Sequence, residues 1–317
     1  MTNSRQEILV EGEGVYHCMS RCVRRAYLCG YDVLSGKSFD HRKDWVRERL
    51  ISLSEIFTVE VLGYALMDNH QHVILRTRPD LEQELSDEEI AKRWVRLFPI
   101  AGEDNDELRV SALVLNKKRL VDLRKRLGCI SWFMKSLNEF ISRRANREDG
   151  CKGHFWDGRF KGQRLADEGA ILACSIYVDL NPIRAKIAKT PEESTFTSAY
   201  ERIQNAREKP KTELWLTPIS DSPTRRGFLS ITLPEYLTIL DATGREVVYG
   251  KRGKIAPTLA PILERIGLNV SHWLTTSRHV GRLFSHLIGA PAALDQAAKN
   301  LGKIWLKGKS AAALAYS

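Results

Sequence analysis

His70 and His72 stand one residue apart in YALMDNHQHVIL, residues 64–75, a segment that reads as a strand. Alternate side chains of a strand point to the same face. The two Cα atoms then lie roughly 7 Å apart, so both imidazoles can reach one metal ion with bonds of about 2.1 Å. Two polar residues on an edge strand share this spacing, so the pair needs a partner elsewhere in the chain. The candidate partner is IYVDLNPIRA, residues 176–185. The preceding DEGAILACSIY is rich in helix formers, with Asp167 placed to cap it. Tyr177 and Asn181 are four residues apart and share one helix face, setting a phenol beside an amide oxygen able to ligate a metal. Pro182 removes a backbone donor, so the helix should stop or kink there. Residues before proline avoid helical torsions, which puts Asn181 at the helix end. The alternative is a core tyrosine with Asn181 as a C-terminal cap.

These two segments, together with VYHCMSRCVRR at 15–25 and GHFWDGRFKGQRL at 153–165, resemble the motifs of the single-tyrosine HUH transposases, and within them the REP-associated tyrosine transposases. The motifs are separated, stand in the family's order and span roughly residues 12–200, which makes the resemblance more specific than any one of them. The family carries a bulky hydrophobic residue between its histidines; this chain has Gln71. Gln71 points away from His70 and His72, so it should bear on packing behind the sheet more than on metal binding. The resemblance implies that Tyr177 is a nucleophile toward a phosphodiester of single-stranded DNA, giving a 5′-phosphotyrosine link and a free 3′-hydroxyl. It further implies that His70, His72 and Asn181 hold a divalent metal that polarises the scissile phosphate. Imidazole and amide oxygen without thiolate suit Mg²⁺ or Mn²⁺ better than structural zinc. The implied enzyme is a DNA transposase, a single-strand endonuclease and strand transferase. Its partner is single-stranded or hairpin DNA, and it acts as a monomer or homodimer. Two other readings stay open: a catalytically silent DNA- or RNA-binding protein on the same scaffold, and a nickase or replication initiator of the wider HUH group. The Asn181–Pro182 pair after the tyrosine favours the transposase branch.

Charge agrees with a nucleic-acid partner. The chain carries 49 Lys+Arg against 39 Asp+Glu, a net charge of +10. Placement says more than the total. Lys117, Lys118, Arg119, Arg124, Lys125 and Arg126 form one run; Arg143, Arg144 and Arg147 end the next helix; Lys152, Arg159, Lys161 and Arg164 follow, with Phe155, Trp156 and Phe160 among them. Cations interleaved with aromatics suit single strands, whose bases stack on rings while phosphates meet the charges. The candidate DNA-binding residues are Arg143, Arg144, Arg147, Arg159, Lys161, Arg164 and Trp156. The opposing reading makes Phe155 and Phe160 core residues and the arginines a solvated surface. The six cysteines form no metal framework, because Cys18 and Cys22 in one strand would be about 13 Å apart. With no signal peptide and no apolar run near the roughly 20 residues that span a membrane, the expectation is a cytoplasmic protein with reduced thiols and no membrane partner.

Elements must position these groups. Periodicity predicts strands at 15–23, 58–67, 71–78 and 155–164, and helices at 41–57 and 130–148 before the tyrosine helix. Phe133, Leu137, Phe140 and Ile141 should face the sheet. Strand–helix–strand–strand–helix–strand is the ferredoxin-like order, βαββαβ, and gives an α+β fold with an antiparallel sheet. Residues 79–129 interrupt that order as an insertion whose charged face should lie in solvent, with a capping box at Ser86 and Glu89. The catalytic domain is expected over 1–204, a charged, proline-containing linker over 205–230, and a separate all-helical unit over 231–317. That unit has a second capping box at Thr232 and Glu235 and helices at 257–266, 277–288 and 291–301. It suits either a helix-turn-helix-like DNA reader or a plain helical bundle.

Overall fold

A computed structural model describes residues 12–23, 28–33, 35–100, 105–208 and 214–247, together with 287–288, 295, 298 and 299. Its centre is an antiparallel sheet. Strand β1 (Val15–Arg21) is followed by a short hairpin, β2 (Tyr31–Asp32) and β3 (Lys37–Ser38), and by helix α1 (Arg42–Ile56). Strands β4 (Val59–Leu66) and β5 (His70–Thr77) come next, and β6 (Lys161–Leu165) follows much later. The spatial order is β4–β5–β1–β6, each neighbouring pair antiparallel, with the two-residue β7 (Leu287–Ile288) added parallel to β6. The chain is therefore α+β.

The last strand is shorter than the sequence predicts. Gly158 takes positive φ, which breaks the extended run, and before β6 the chain touches the sheet edge only as an isolated bridge of Trp156 to Cys22, with the Asp157 N–H on the Arg21 carbonyl and the Val23 N–H on the Phe155 carbonyl. Residues 287–288 pair as a strand where a helix over 277–288 is expected. Residues 295, 298 and 299 are helical, as expected for 291–301. The expected helix at 257–266 lies outside the described residues.

One sheet face is apolar and thickly covered. Tyr16, Cys18, Val73 and Leu75 pack under Val46, Leu50 and Leu53 of α1 and under Phe133, Leu137 and Ile141 of α6 (Ile130–Glu148). Phe140 departs from the expected set: it is exposed, with the Arg49 guanidinium 4.8 Å over its ring. The block at 79–129 is not merely a solvated insertion. It folds as α2 (Pro79–Glu84), α3 (Asp87–Leu97), α4 (Asp106–Leu115) and α5 (Lys117–Leu127), and Ile90, Leu97, Leu120, Leu123 and Leu127 join the same core. Ser86 caps α3 through the Glu89 N–H at 3.1 Å, but the Glu89 carboxylate pairs with Arg93 instead of closing the box. The basic run on α5 is largely paired: Lys117 and Arg124 with Asp87, Arg119 and Arg126 with Asp122.

The other sheet face carries α7 (Glu168–Asp179), the short α8 (Asn181–Arg184), α9 (Ser198–Glu208) and α10 (Leu233–Val247). Leu172, Ala173 and Ile176 of α7 pack there with Val15, Ile74 and Leu165 of the sheet, and with Ile239 and Leu240 of α10. The expected linker is corrected here. Over 214–231, Leu216, Ile219, Phe228 and Leu229 are buried, and Thr217 donates its N–H to the Val61 carbonyl at 3.0 Å. One of its charges, Arg225, is spent inward, as is Arg202 of the preceding helix. Arg225 donates to the Leu214 and Leu216 carbonyls, and Arg202 to those of Leu62 and Thr217. Nor is α10 the start of a separate unit. Its capping box forms, with Thr232 N–H on Glu235 at 2.8 Å, and its Tyr236 hydroxyl donates to Asp179 of α7 at 2.6 Å. Asp179 is fully buried and also accepts from the Ser198 hydroxyl and the Ala199 N–H. Burial raises its pKa, and Arg202 and these hydrogen bonds oppose the rise.

Candidate active site

Strand register decides which side chains meet. In the β1–β5 ladder Arg21 is opposite His70, Met19 opposite His72 and His17 opposite Ile74; in the β1–β6 ladder His17 is opposite Gln163 and Met19 opposite Lys161. Opposed residues of an antiparallel pair share a face, so His17, Arg21, His70, His72, Lys161 and Gln163 all project toward α7. There Tyr177 stands edge-on to two histidines, its ring centroid 5.7 Å from His72 and 6.1 Å from His17. The His70 and His72 rings are 4.9 Å apart.

The imidazoles are ordered by hydrogen bonds. His72 Nδ1 lies 2.8 Å from His17 Nε2, His17 Nδ1 lies 3.2 Å from Gln163 Oε1, and His70 Nδ1 lies 2.6 Å from Asn69 Oδ1. Burial removes water from these rings and favours their neutral forms. It pulls His17 down to about 4 and His72 well below the usual histidine value. His70 is lowered by burial and by Arg21, with Asp68 opposing. The Tyr177 phenol is pushed up by burial, while the Arg184 guanidinium and a hydrogen bond from Asn181 act against that rise.

The α7–α8 junction explains how one short segment supplies several groups. Leu180 keeps near-helical torsions, φ −84° and ψ −5°. Pro182 sits in the first turn of α8, where its missing N–H leaves no partner wanting. The chain therefore turns into a second helical turn instead of ending. Asn181 caps α7, its Nδ2 donating to the Tyr177 carbonyl at 3.0 Å, so the capping reading holds for the amide nitrogen while Oδ1 remains for other duties. Arg184, seven residues after the tyrosine, returns to the same face, with its guanidinium 5.0 Å over the Tyr177 ring.

A divalent ion would have to be held by His70, His72 and the Asn181 amide oxygen, since among the described residues no group of three or more His, Cys, Asp or Glu could hold a metal. His72 Nε2 is buried and has no hydrogen-bond partner. A bare nitrogen in a dry site is the observation that a ligand role would explain.

The predicted DNA-binding residues divide between the two sides. Lys161 shares the tyrosine face by register, Arg164 alternates to the other, and Arg159 is exposed in the loop before β6. Arg143, Arg144 and Arg147 lie on α6, across the sheet from Tyr177. Arg143 pairs with Glu139, Arg144 stacks on Trp45 at 4.1 Å, and all three line a groove with Arg49 and Phe140. Phe155 is core, and the Trp156 indole N–H is held by the Asn138 carbonyl at 2.8 Å. Gln71 points to the α6 side, as strand alternation requires, and donates to Asn138, which donates to Ser20.

Sequence reasoning missed His17, Gln163, Arg21 and Arg184. All four lie in the motif segments, but nothing local says that β1 runs between β5 and β6. Arg184 was visible as a seven-residue spacing, had the helix been allowed to run through Pro182.

No family model matches the chain, and no curated protein does. A solved structure to which it is similar is described as "Structure of the REP associates tyrosine transposase bound to a REP hairpin". The likeness has 11% identity and a TM-score of 0.39, and covers 73% of this chain and 100% of that one. No helix among the described residues is long and apolar enough to cross a membrane.

Proposed function

We propose that the protein is a metal-dependent DNA strand transferase of the single-tyrosine kind. Its core of β1, α1, β4, β5, α6 and β6 is read as ferredoxin-like, since the order βαββαβ is combined with antiparallel pairing among these four strands. The observation that carries this reading is Tyr177, packed edge-on against His72 on a sheet face that also presents His70, Arg21 and Lys161. In the reaction the Tyr177 oxygen bonds to phosphorus and the bond from phosphorus to the 3′ oxygen breaks. The phenol gives up a proton and the freed 3′ oxygen gains one, so no water is consumed and the covalent link can be passed to another strand. His70, His72 and the Asn181 carbonyl oxygen would hold Mg²⁺ or Mn²⁺, which supplies Lewis-acid polarisation of the scissile phosphate. Arg184 has two tasks: its charge offsets the burial that resists ionisation of Tyr177, and with Arg21 and Lys161 it meets the phosphates.

The test is a denaturing gel of the protein incubated with Mn²⁺ and single-stranded or hairpin oligonucleotides drawn from the flanks of its own gene. A covalent protein–DNA adduct is expected, and Tyr177→Phe should abolish it while leaving binding intact. An adduct that survives in the Phe variant means another nucleophile. Binding without any adduct in the wild-type protein favours the silent nucleic-acid-binding alternative.

A further inference from the structure

We propose that Gln163 and His17 are positioning residues that fix the tautomer of His72, so that its Nε2 is left as a bare lone pair ready to take a divalent cation. The inference rests on the reading of His72 as a metal ligand and extends it to two residues behind it. The chain of hydrogen bonds runs from Gln163 Oε1 to His17 Nδ1 at 3.2 Å, and from His17 Nε2 to His72 Nδ1 at 2.8 Å. An amide oxygen can only accept, so His17 Nδ1 must carry its proton. A neutral imidazole has one N–H, so His17 Nε2 is an acceptor, and the proton between the rings belongs to His72 Nδ1. His72 Nε2 is then unprotonated. That atom is also the one that is buried and makes no hydrogen bond.

The opposite proton order is possible only if the Gln163 amide nitrogen faces His17. It would place an N–H at His72 Nε2, buried with no acceptor. An orphaned buried donor is rarer and costlier than a lone pair waiting for a ligand. Metal-binding histidines commonly give their second ring N–H to a carbonyl or carboxylate, which orients the ring and raises its basicity. Here the acceptor is a second imidazole, itself oriented from the neighbouring strand. The ring planes lie 16° from parallel with centroids 5.0 Å apart, the nearly coplanar, edge-to-edge arrangement that an N–H···N bond between the two rings requires. Gln163 and His17 sit on β6 and β1, opposite one another in the ladder, so the rigid sheet and not a loop carries the constraint.

Two measurements on the full-length protein decide the matter. The first uses metal-free protein and long-range ¹H–¹⁵N correlation of the histidine rings, with the His72 signals assigned by their loss in His72→Ala. The expected pattern is a protonated Nδ1 and an unprotonated Nε2 on His72; a proton on Nε2 overturns the proposal. This measurement stands whether or not the protein cuts DNA or binds metal. The second titrates Mn²⁺ alone, by electron paramagnetic resonance, into wild-type, Gln163→Leu and Gln163→Glu proteins. Gln163→Leu deletes the acceptor without touching a histidine, and should weaken Mn²⁺ binding about 10- to 100-fold. Gln163→Glu keeps an acceptor at that place and should restore binding. Unchanged affinity in Gln163→Leu overturns the positioning role. If the wild-type protein binds no Mn²⁺ at all, the metal reading falls, while the ring spectra still decide the tautomer.

Discussion

The two faces of the sheet solve different problems with the same strands. Behind the sheet, α1, α3, α5 and α6 enclose a broad apolar core in which the polar chain of Gln71, Asn138 and Ser20 is a minor component. In front, the end of the sheet nearest Arg21 and His70 presents mostly polar side chains, and among the described residues α7 crosses it with a tyrosine. The three residues His70, Gln71 and His72 straddle both environments. Period-two alternation turns the outer two toward the Tyr177 face and the middle one into the packing behind the sheet. The comparison teaches that adjacent substitutions in one strand should separate activity from stability.

The largest expected effect lies in front. His70→Ala should leave the fold near wild type, since the ring is only partly buried, and should reduce adduct formation about a thousandfold, the equivalent of several kcal/mol of lost phosphate polarisation. Quantifying adduct by gel beside a thermal melt would expose any collapse of the distinction. Behind the sheet the reverse holds. Phe133→Ala empties a fully buried ring site between α6 and Phe57 and should cost about 3–5 kcal/mol in denaturant unfolding, with the residual folded protein still able to form adduct.

Acid should strike the front face through its buried rings. His17 has a folded-state pKa of about 4 against 6.5 for an ordinary histidine. Between those values the unfolded chain binds the proton and the folded one does not, so stability rises with pH across that window. The His17 contribution is whole above pH 6.5 and is lost as pH falls toward 4, worth about 3 kcal/mol. The shift of His72 has the same direction and adds to it. Urea melts at pH 7, 5.5 and 4.5 should show that slope, and His17→Phe should flatten it; a slope unaltered in that variant would place the acid sensitivity elsewhere. The smallest effect is expected at the hinge of the comparison. Gln71→Leu exchanges one hydrogen bond to Asn138 for apolar burial and relieves a buried amide oxygen with no partner. Stability should move by only about 1 kcal/mol, and Mn²⁺ affinity should not move.

Much of the scaffold was legible because it rests on local rules. The apolar spacing of α1 and α6, the Asp167 cap on α7 and the alternation of β4 and β5 place these elements within a residue or two of where they lie. The pairing of His70 and His72 followed from the strand period alone. What stayed hidden depends on distant partners. His17 becomes part of the site only because β1 is the strand between β5 and β6. Arg202 and Arg225 read as solvent-seeking charges until the carbonyls they bind are known. Phe140 fits the apolar stripe of α6 but meets Arg49 instead of the sheet. Charge density also misleads on α5, where Asp87 and Asp122 absorb most of the basic run.

The buried carboxylate two residues past Tyr177 sets a limit on how the molecule can be divided. Asp179 takes one donor from Tyr236, which lies far outside the first 204 residues. A chain cut at 204 would leave that oxygen without its donor, on the very helix that carries Tyr177. The carboxyl would then have to take up a proton or admit water, and either response would loosen the seat of Tyr177. The smallest portable piece therefore ends no earlier than α10. Whatever recombination or trimming the tail tolerates begins beyond residue 247.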